Sequence, residues 1–132
     1  MNMRQNISTG TVWEKEVGYS RAVRIGNLVE VSGTVAVDGT AIIGENNVEE
    51  QARYIFQKIE RALETAGTSL NDVVRTRIYV VNIQRDWEII GRVHGAFFKN
   101  ILPVTTMVEV AALIDPKLLL EVEATAVISG EV

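Results

Sequence analysis

The chain has 132 residues, 47% of them hydrophobic and 23% charged, with a formal net charge of −4, a single histidine and no cysteine. That length suits one domain, residues 1–132, able to bury roughly two-thirds of its unfolded surface without a staple. The composition excludes disulfides, thiolate chemistry and a His- or Cys-rich metal site, and the acidic balance gives no general attraction to phosphate backbones, so nucleic acid is not an expected partner. No apolar run approaches the roughly 18 residues of a membrane span and the polar N-terminus has no signal-peptide core, so no membrane and a cytoplasmic location are expected.

Residues 1–18 show no firm period, and 1–16 read as an irregular segment in which Glu14-Lys15-Glu16 is a solvated stretch. Ala22–Ile25, Gly26-Asn27 and Leu28–Val37 read as a β-hairpin, the Gly-Asn pair supplying the unusual dihedrals of a tight turn. Asp38-Gly39 marks a second turn before a short apolar piece, 41–43. Residues 48–66 form the clearest helix: Ala52, Ile55, Phe56, Ile59, Ala62, Leu63 and Ala66 recur at three- and four-residue spacing. Asn46 or Asn47 is suited to cap it, Glu49 and Glu50 lie at the positive end of its dipole, and Gly67 follows as a left-handed C′ residue.

A strand over 71–83 is expected to place Val74, Thr76, Ile78 and Val80 on one face and Arg75, Arg77 and Tyr79 on the other. Asp86 is the expected cap of a second helix over about 86–100, with Trp87, Ile90, Val93, Phe97 and Phe98 apolar. Gly91 and Gly95 inside it each cost up to about 1 kcal/mol relative to Ala, which close packing or a nearby ligand would explain. Pro103 opens a final pair of strands, 104–111 and 118–127. In the last, Leu120, Val122, Ala124 and Ala126 make an apolar face, while Leu119, Glu121, Glu123 and Thr125 face the other way. Carboxylates in mid-strand are costly unless paired, hydrated or used, so Glu121 and Glu123 are the first candidates for function.

The order strand–strand–helix–strand–helix–strand–strand implies an α+β fold, one mixed sheet with both helices on one face. The opposite face, with Arg75, Arg77, Glu121 and Glu123 among apolar groups, is then expected to be covered by identical subunits.

Several stretches together resemble the reactive intermediate deaminase family, also called Rid or YjgF-type proteins. They are Tyr19-Ser20-Arg21-Ala22, Gly26-Asn27-Leu28, Val31-Ser32-Gly33, Gln51-Ala52-Arg53, the run from Leu63 to Val74, Phe97-Phe98, Pro103, the run from Val108 to Leu113, and Glu121-Val122-Glu123-Ala124. The resemblance spans about residues 17–128. It implies a chorismate-mutase-like subunit in a homotrimer with a central barrel, with small-molecule clefts at the subunit interfaces. It also implies hydrolysis of imines or enamines such as 2-aminoacrylate, with no cofactor and no metal. In archetypal members an arginine for the substrate carboxylate stands two residues after the proline that opens the penultimate strand; here that position is Thr105, which tells against 2-aminoacrylate itself. By the same likeness Glu121 is the catalytic, water-positioning glutamate, and Tyr19, Ser32, Thr105, Met107, Gly91 and His94 line the cleft. Each has an ordinary alternative: Glu121 as an ion-paired strand carboxylate, Tyr19 and Ser32 as packing and turn residues, His94 as a half-exposed helix residue, Met107 as core. Arg75 or Arg77 either pairs with Glu121 or Glu123 or supplies the missing cation. A non-catalytic metabolite-binding trimer is the alternative function, with RNA cleavage less favoured.

Overall fold

The computed structural model describes residues 3–129. Eight strands and three α-helices follow one another as β1 (Arg4–Ile7), α1 (Val12–Val17), β2 (Ala22–Ile25), β3 (Leu28–Thr34), β4 (Val37–Asp38), β5 (Ala41–Ile42), α2 (Val48–Thr65), β6 (Val73–Val80), α3 (Ile83–Phe98), β7 (Val104–Glu109) and β8 (Leu120–Val127), with a single 3₁₀ turn at Leu70–Asp72. Six strands form one sheet in the order β1-β2-β3-β8-β6-β7, and β4 and β5 form a separate two-stranded ribbon. Only β7 is parallel to its neighbour, β6; the other pairs are antiparallel. The fold is α+β, with a mixed sheet as expected.

The two long helices cover one face. Val29, Val31, Ile78, Val122 and Ala124 of the sheet share a core with Ala52, Ile55, Phe56 and Ile59 of α2 and Ile90 and Val93 of α3. Asn47 caps α2, its Oδ1 accepting from the Glu50 amide at 3.0 Å, and Gly67 ends it at φ 89°. Gly26, at φ 58°, makes the β2–β3 turn.

Some expectations are corrected. From Arg4 onward the N-terminal stretch is not irregular: β1 adds an edge strand to β2, and Thr11 caps the short α1, which ends at Gly18 in a left-handed conformation. Glu14 is buried rather than solvated, accepting hydrogen bonds from the hydroxyls of Ser8 at 2.7 Å and Thr9 at 2.6 Å. In β6 a bulge at Val74 shifts the pairing with β8, so Val73 is buried and Val74 is 45% exposed. The cap of α3 is Asn82, whose Oδ1 accepts from the Arg85 amide at 3.2 Å. Asp86 lies inside the first turn, buried and paired with Arg85 at 2.9 Å, and Trp87 is 51% exposed rather than core. The final two strands are not neighbours. β8 inserts between β3 and β6, and β7 takes the edge.

One contact between helix and loop has a pH signature. Lys58 Nζ, on α2, donates to the carbonyls of Val35 at 3.1 Å and Val37 at 2.9 Å. Burial, then the nearby Arg21 and Arg61, lowers its pKa from 10.5 to about 8. Between those values the unfolded chain binds more protons than the folded one, so Lys58 makes stability rise with pH across that window. Urea midpoints from pH 8 to 10 are expected to rise for wild type relative to Lys58→Arg, which stays charged in both states. A constant difference between the two would refute the shift.

Candidate functional site

The residues singled out in the sequence divide into two groups on opposite faces of the sheet. The first lies on the face away from α2 and α3. There the β3–β8 pairing slips: Val31 opposes Ala124, but Thr34 opposes Val122, so β3 carries one extra residue at Ser32-Gly33. Bulges of this kind aim side chains at sites. Ser32 Oγ donates to the Ser20 carbonyl at 2.6 Å, tying the bulge to the segment that carries Tyr19. Tyr19 is exposed, and with Ser32, Asn6, Glu30 and Glu123 it lines an open depression of about 660 Å³.

Glu121 does not line this depression but lies against the same bulge. Its side chain lies directly over Gly33: a Cβ built there would meet the carboxylate, with Cδ at 3.0 Å. Among the described residues no side chain or backbone amide hydrogen-bonds to it. Burial, then repulsion from Glu123, pushes its pKa up, and attraction from Arg21 only partly offsets them. One nitrogen of the Arg21 guanidinium is engaged elsewhere. Its Nη2 donates to the Gly33 carbonyl at 2.6 Å and the Thr34 hydroxyl at 3.1 Å, while Nε is buried with no partner. Arg21 therefore clamps the bulge from behind.

The two mid-strand carboxylates thus differ. Glu123 accepts a hydrogen bond from the Tyr79 hydroxyl at 2.7 Å and lies 3.8 Å from Arg77. Glu123 takes the ion-pair role and Arg77 is spent on it. Arg75 and Arg77 both face away from Thr105 and His94, so within one chain neither replaces a cation at Thr105.

The second group lies on the helix side, at the β7 edge. The parallel register sets Thr105 beside Thr76, and the Thr76 hydroxyl donates to Thr105 Oγ1 at 2.7 Å. Thr76 Oγ1 also lies 2.9 Å from His94 Nε2. The His94 ring packs against Phe98 and Phe56, with centroids at 4.6 and 5.6 Å, and burial lowers its pKa. Met107 is partly buried on the same side of β7 as Thr105. Gly91 lies nearly one turn before His94; beside it and Gly95 a Cβ would meet open space, so packing within the chain does not explain either glycine.

The sequence reading overlooked Gly33, Arg21 and Thr76 as parts of these groups. A hydroxyl on an otherwise apolar strand face was the available signal for Thr76. Among the described residues no group of three or more His, Asp or Glu is arranged to hold a metal ion, and no helix is long and apolar enough to cross a membrane.

Comparison with known proteins gives the family. The family model described as "Endoribonuclease L-PSP" matches residues 11–128. The crystal structure of Rv2704 from Mycobacterium tuberculosis, a member of the YjgF/YER057c/UK114 family, superposes with a TM-score of 0.87 at 49% identity, covering 96% of this chain and all of that one (100%). The 2-iminobutanoate/2-iminopropanoate deaminase of Salmonella typhimurium is 32% identical over 113 residues, 83% of this chain and 86% of that protein. A RutC family protein of Pyrococcus abyssi is 36% identical over 115 residues, 85% of this chain and 88% of that protein. With the family model spanning nearly the whole chain and the fold shared, this protein belongs to the YjgF/Rid family.

Proposed function

We propose that this chain hydrolyses a small imine or enamine, releasing ammonia and a carbonyl compound, in clefts between the subunits of a homotrimer with a central barrel. The observation that carries the reading is the Glu121 carboxylate: half-buried, without a hydrogen-bond partner, raised in pKa and held against the Ser32-Gly33 bulge. A raised carboxylate whose oxygens are not engaged by hydrogen bonds is suited to take and return a proton. Water adds to the carbon of the protonated imine as Glu121 takes one of its protons, giving the neutral carbinolamine; Glu121 then passes that proton to the amino nitrogen, and ammonia leaves as the carbonyl forms and the hydroxyl proton is lost to water. An enamine first takes a proton on carbon to become the imine. No metal or cofactor enters this scheme.

The division of the candidates supports a shared cleft. Tyr19, Ser32 and Glu121 lie on one face and Thr105, Met107, Gly91 and His94 on the other, so one chain supplies two half-sites that neighbouring chains would join. The likeness to a protein named a 2-iminobutanoate/2-iminopropanoate deaminase supports the reaction class. Thr105, without positive charge, weakens the case for 2-aminoacrylate as substrate. It also favours a second reading, a non-catalytic trimer that binds a small metabolite. RNA cleavage, named in the family model's description, sits poorly with a net charge of −4.

Imines generated in place by an amino-acid oxidase test the reading. Ammonia release is expected to exceed the spontaneous rate for at least one imine, and sedimentation is expected to give the mass of three chains. A well-folded single chain at working concentration would overturn the shared cleft. Ligand-induced thermal stabilisation with no turnover on any imine would favour the second reading.

A further inference from the structure

Thr76 is fully buried on the apolar face of β6, yet its hydroxyl connects His94 to Thr105 at the open edge of the sheet. Each hydroxyl in this row has one proton, so the group at the inner end fixes the direction of the whole row. With the His94 proton on Nε2, His94 donates to Thr76, Thr76 donates to Thr105, and the Thr105 proton is free to point outward. With the proton on Nδ1 the row reverses, and Thr105 presents only lone pairs.

The surroundings of this row are uncharged. Phe56 on α2 and Phe98 on α3 pack on the imidazole, β6 and β7 contribute threonines, and desolvation is the sole influence on His94. Burial therefore keeps His94 neutral near pH 7. Arg75 and Arg77 lie on the other face of β6. Nothing in the row balances the charge of a carboxylate, whose desolvation is far costlier than that of a neutral carbonyl.

We propose that Thr105, oriented through Thr76 by His94 in its Nε2–H form, is a specificity-determining hydrogen-bond donor for the uncharged carbonyl oxygen of an amide or ester rather than for a carboxylate. Thr76 and His94 are positioning residues. The proposal rests on the reading that the β7 edge lines a ligand cleft, but binding rather than turnover tests it, so the two fail separately.

Calorimetric titration with pyruvate and with its neutral amide, pyruvamide, reads the preference. Wild type is expected to bind pyruvamide at least about fivefold more tightly than pyruvate. Thr76→Val, which cuts the row but leaves Thr105 in place, is expected to lower pyruvamide affinity about fivefold and leave pyruvate unchanged, within the range of one neutral hydrogen bond. Thr76→Ser is expected to restore it, and Thr105→Arg to invert the preference. Imidazole ¹⁵N spectra are expected to give the Nε2–H tautomer in wild type. Tighter or equal binding of pyruvate by wild type, binding of neither compound, an Nδ1–H tautomer, or no response to Thr76→Val would each overturn the proposal.

Discussion

Glu121→Gln is expected to slow ammonia release by about 10²- to 10⁴-fold, the usual contribution of one acid–base group, while making the folded chain more stable at neutral pH. The second effect follows from the sign of the pKa shift. Burial and Glu123 raise the folded value of Glu121, so the folded state binds the proton more tightly than the unfolded one. Ionisation then costs stability as pH rises through that window. The neutral amide escapes this cost above the ordinary carboxylate range and loses the advantage at low pH, where Glu121 is protonated in both states. A merely structural carboxylate gives the opposite pattern, with activity kept and stability lost. Gly33→Ala separates position from charge. Its backbone is not in the left-handed region, so the alanine itself is unstrained, but its Cβ would occupy the place of the carboxylate end of Glu121. The far end of a flexible side chain moves cheaply, so the fold is expected to survive with a melting temperature within a few degrees of wild type. Turnover is expected to fall about tenfold or more because the carboxylate is displaced. Full activity in Gly33→Ala would mean that the observed position of Glu121 is not the working one.

The elements that were legible in the sequence are those with a strong local period. The apolar stripe of α2, the β2–β3 hairpin around Gly26-Asn27 and the alternation of β8 each record burial directly in the order of residue types. The mistakes arise where non-local pairing overrides that order. The four residues of β1 are too few and too polar to show a period, and pair only because β2 offers an edge. Val74 fits the expected alternation, but a one-residue bulge exchanges it with Val73. Asp86 is a good capping residue, yet Asn82 captures the start of α3 one turn earlier. The loop between β7 and β8 invited a hairpin, whereas the core places β8, whose helix-facing residues Leu120, Val122, Ala124 and Ala126 are all buried, at the centre of the sheet.

The site was legible in part for the same reason. Glu121 stands out because a mid-strand carboxylate breaks a pattern. Its difference from Glu123 does not, because it depends on the cross-strand neighbours Tyr79 and Arg77. Thr76 does not stand out in the sequence, since a threonine on an apolar face satisfies strand propensity. Only the parallel register with β7 makes it a link between His94 and Thr105. The separation of the candidates onto two faces likewise depends on which strand lies beside which.

The largest loss of stability is expected at Gln51, a wholly buried amide at the start of α2. Its Nε2 donates to the carbonyls of Gly44 at 3.1 Å and Lys117 at 2.9 Å, and its Oε1 accepts from the Leu119 amide at 2.9 Å. One side chain therefore ties together two irregular segments, the turn before α2 and the approach to β8. Gln51→Leu keeps most of the volume but removes the partner of the Lys117 carbonyl and the Leu119 amide, at about 1–3 kcal/mol each when unmade, while the Gly44 carbonyl keeps the Asn47 amide at 2.9 Å. A total loss of roughly 3–5 kcal/mol is expected, with a fall in melting temperature on the order of 10–20 °C. The effect should reach the site, because Leu119 immediately precedes the strand that carries Glu121. Loosening it frees the Leu120–Val80 and Glu121–Tyr79 register. Hydrogen exchange in Gln51→Leu is therefore expected to accelerate first at the start of β8 and only later in β3. A loss below about 1 kcal/mol, or uniform exchange along β8, would mean that water has taken over the amide's bonds and that the β6–β8 pairing alone holds Glu121 in place.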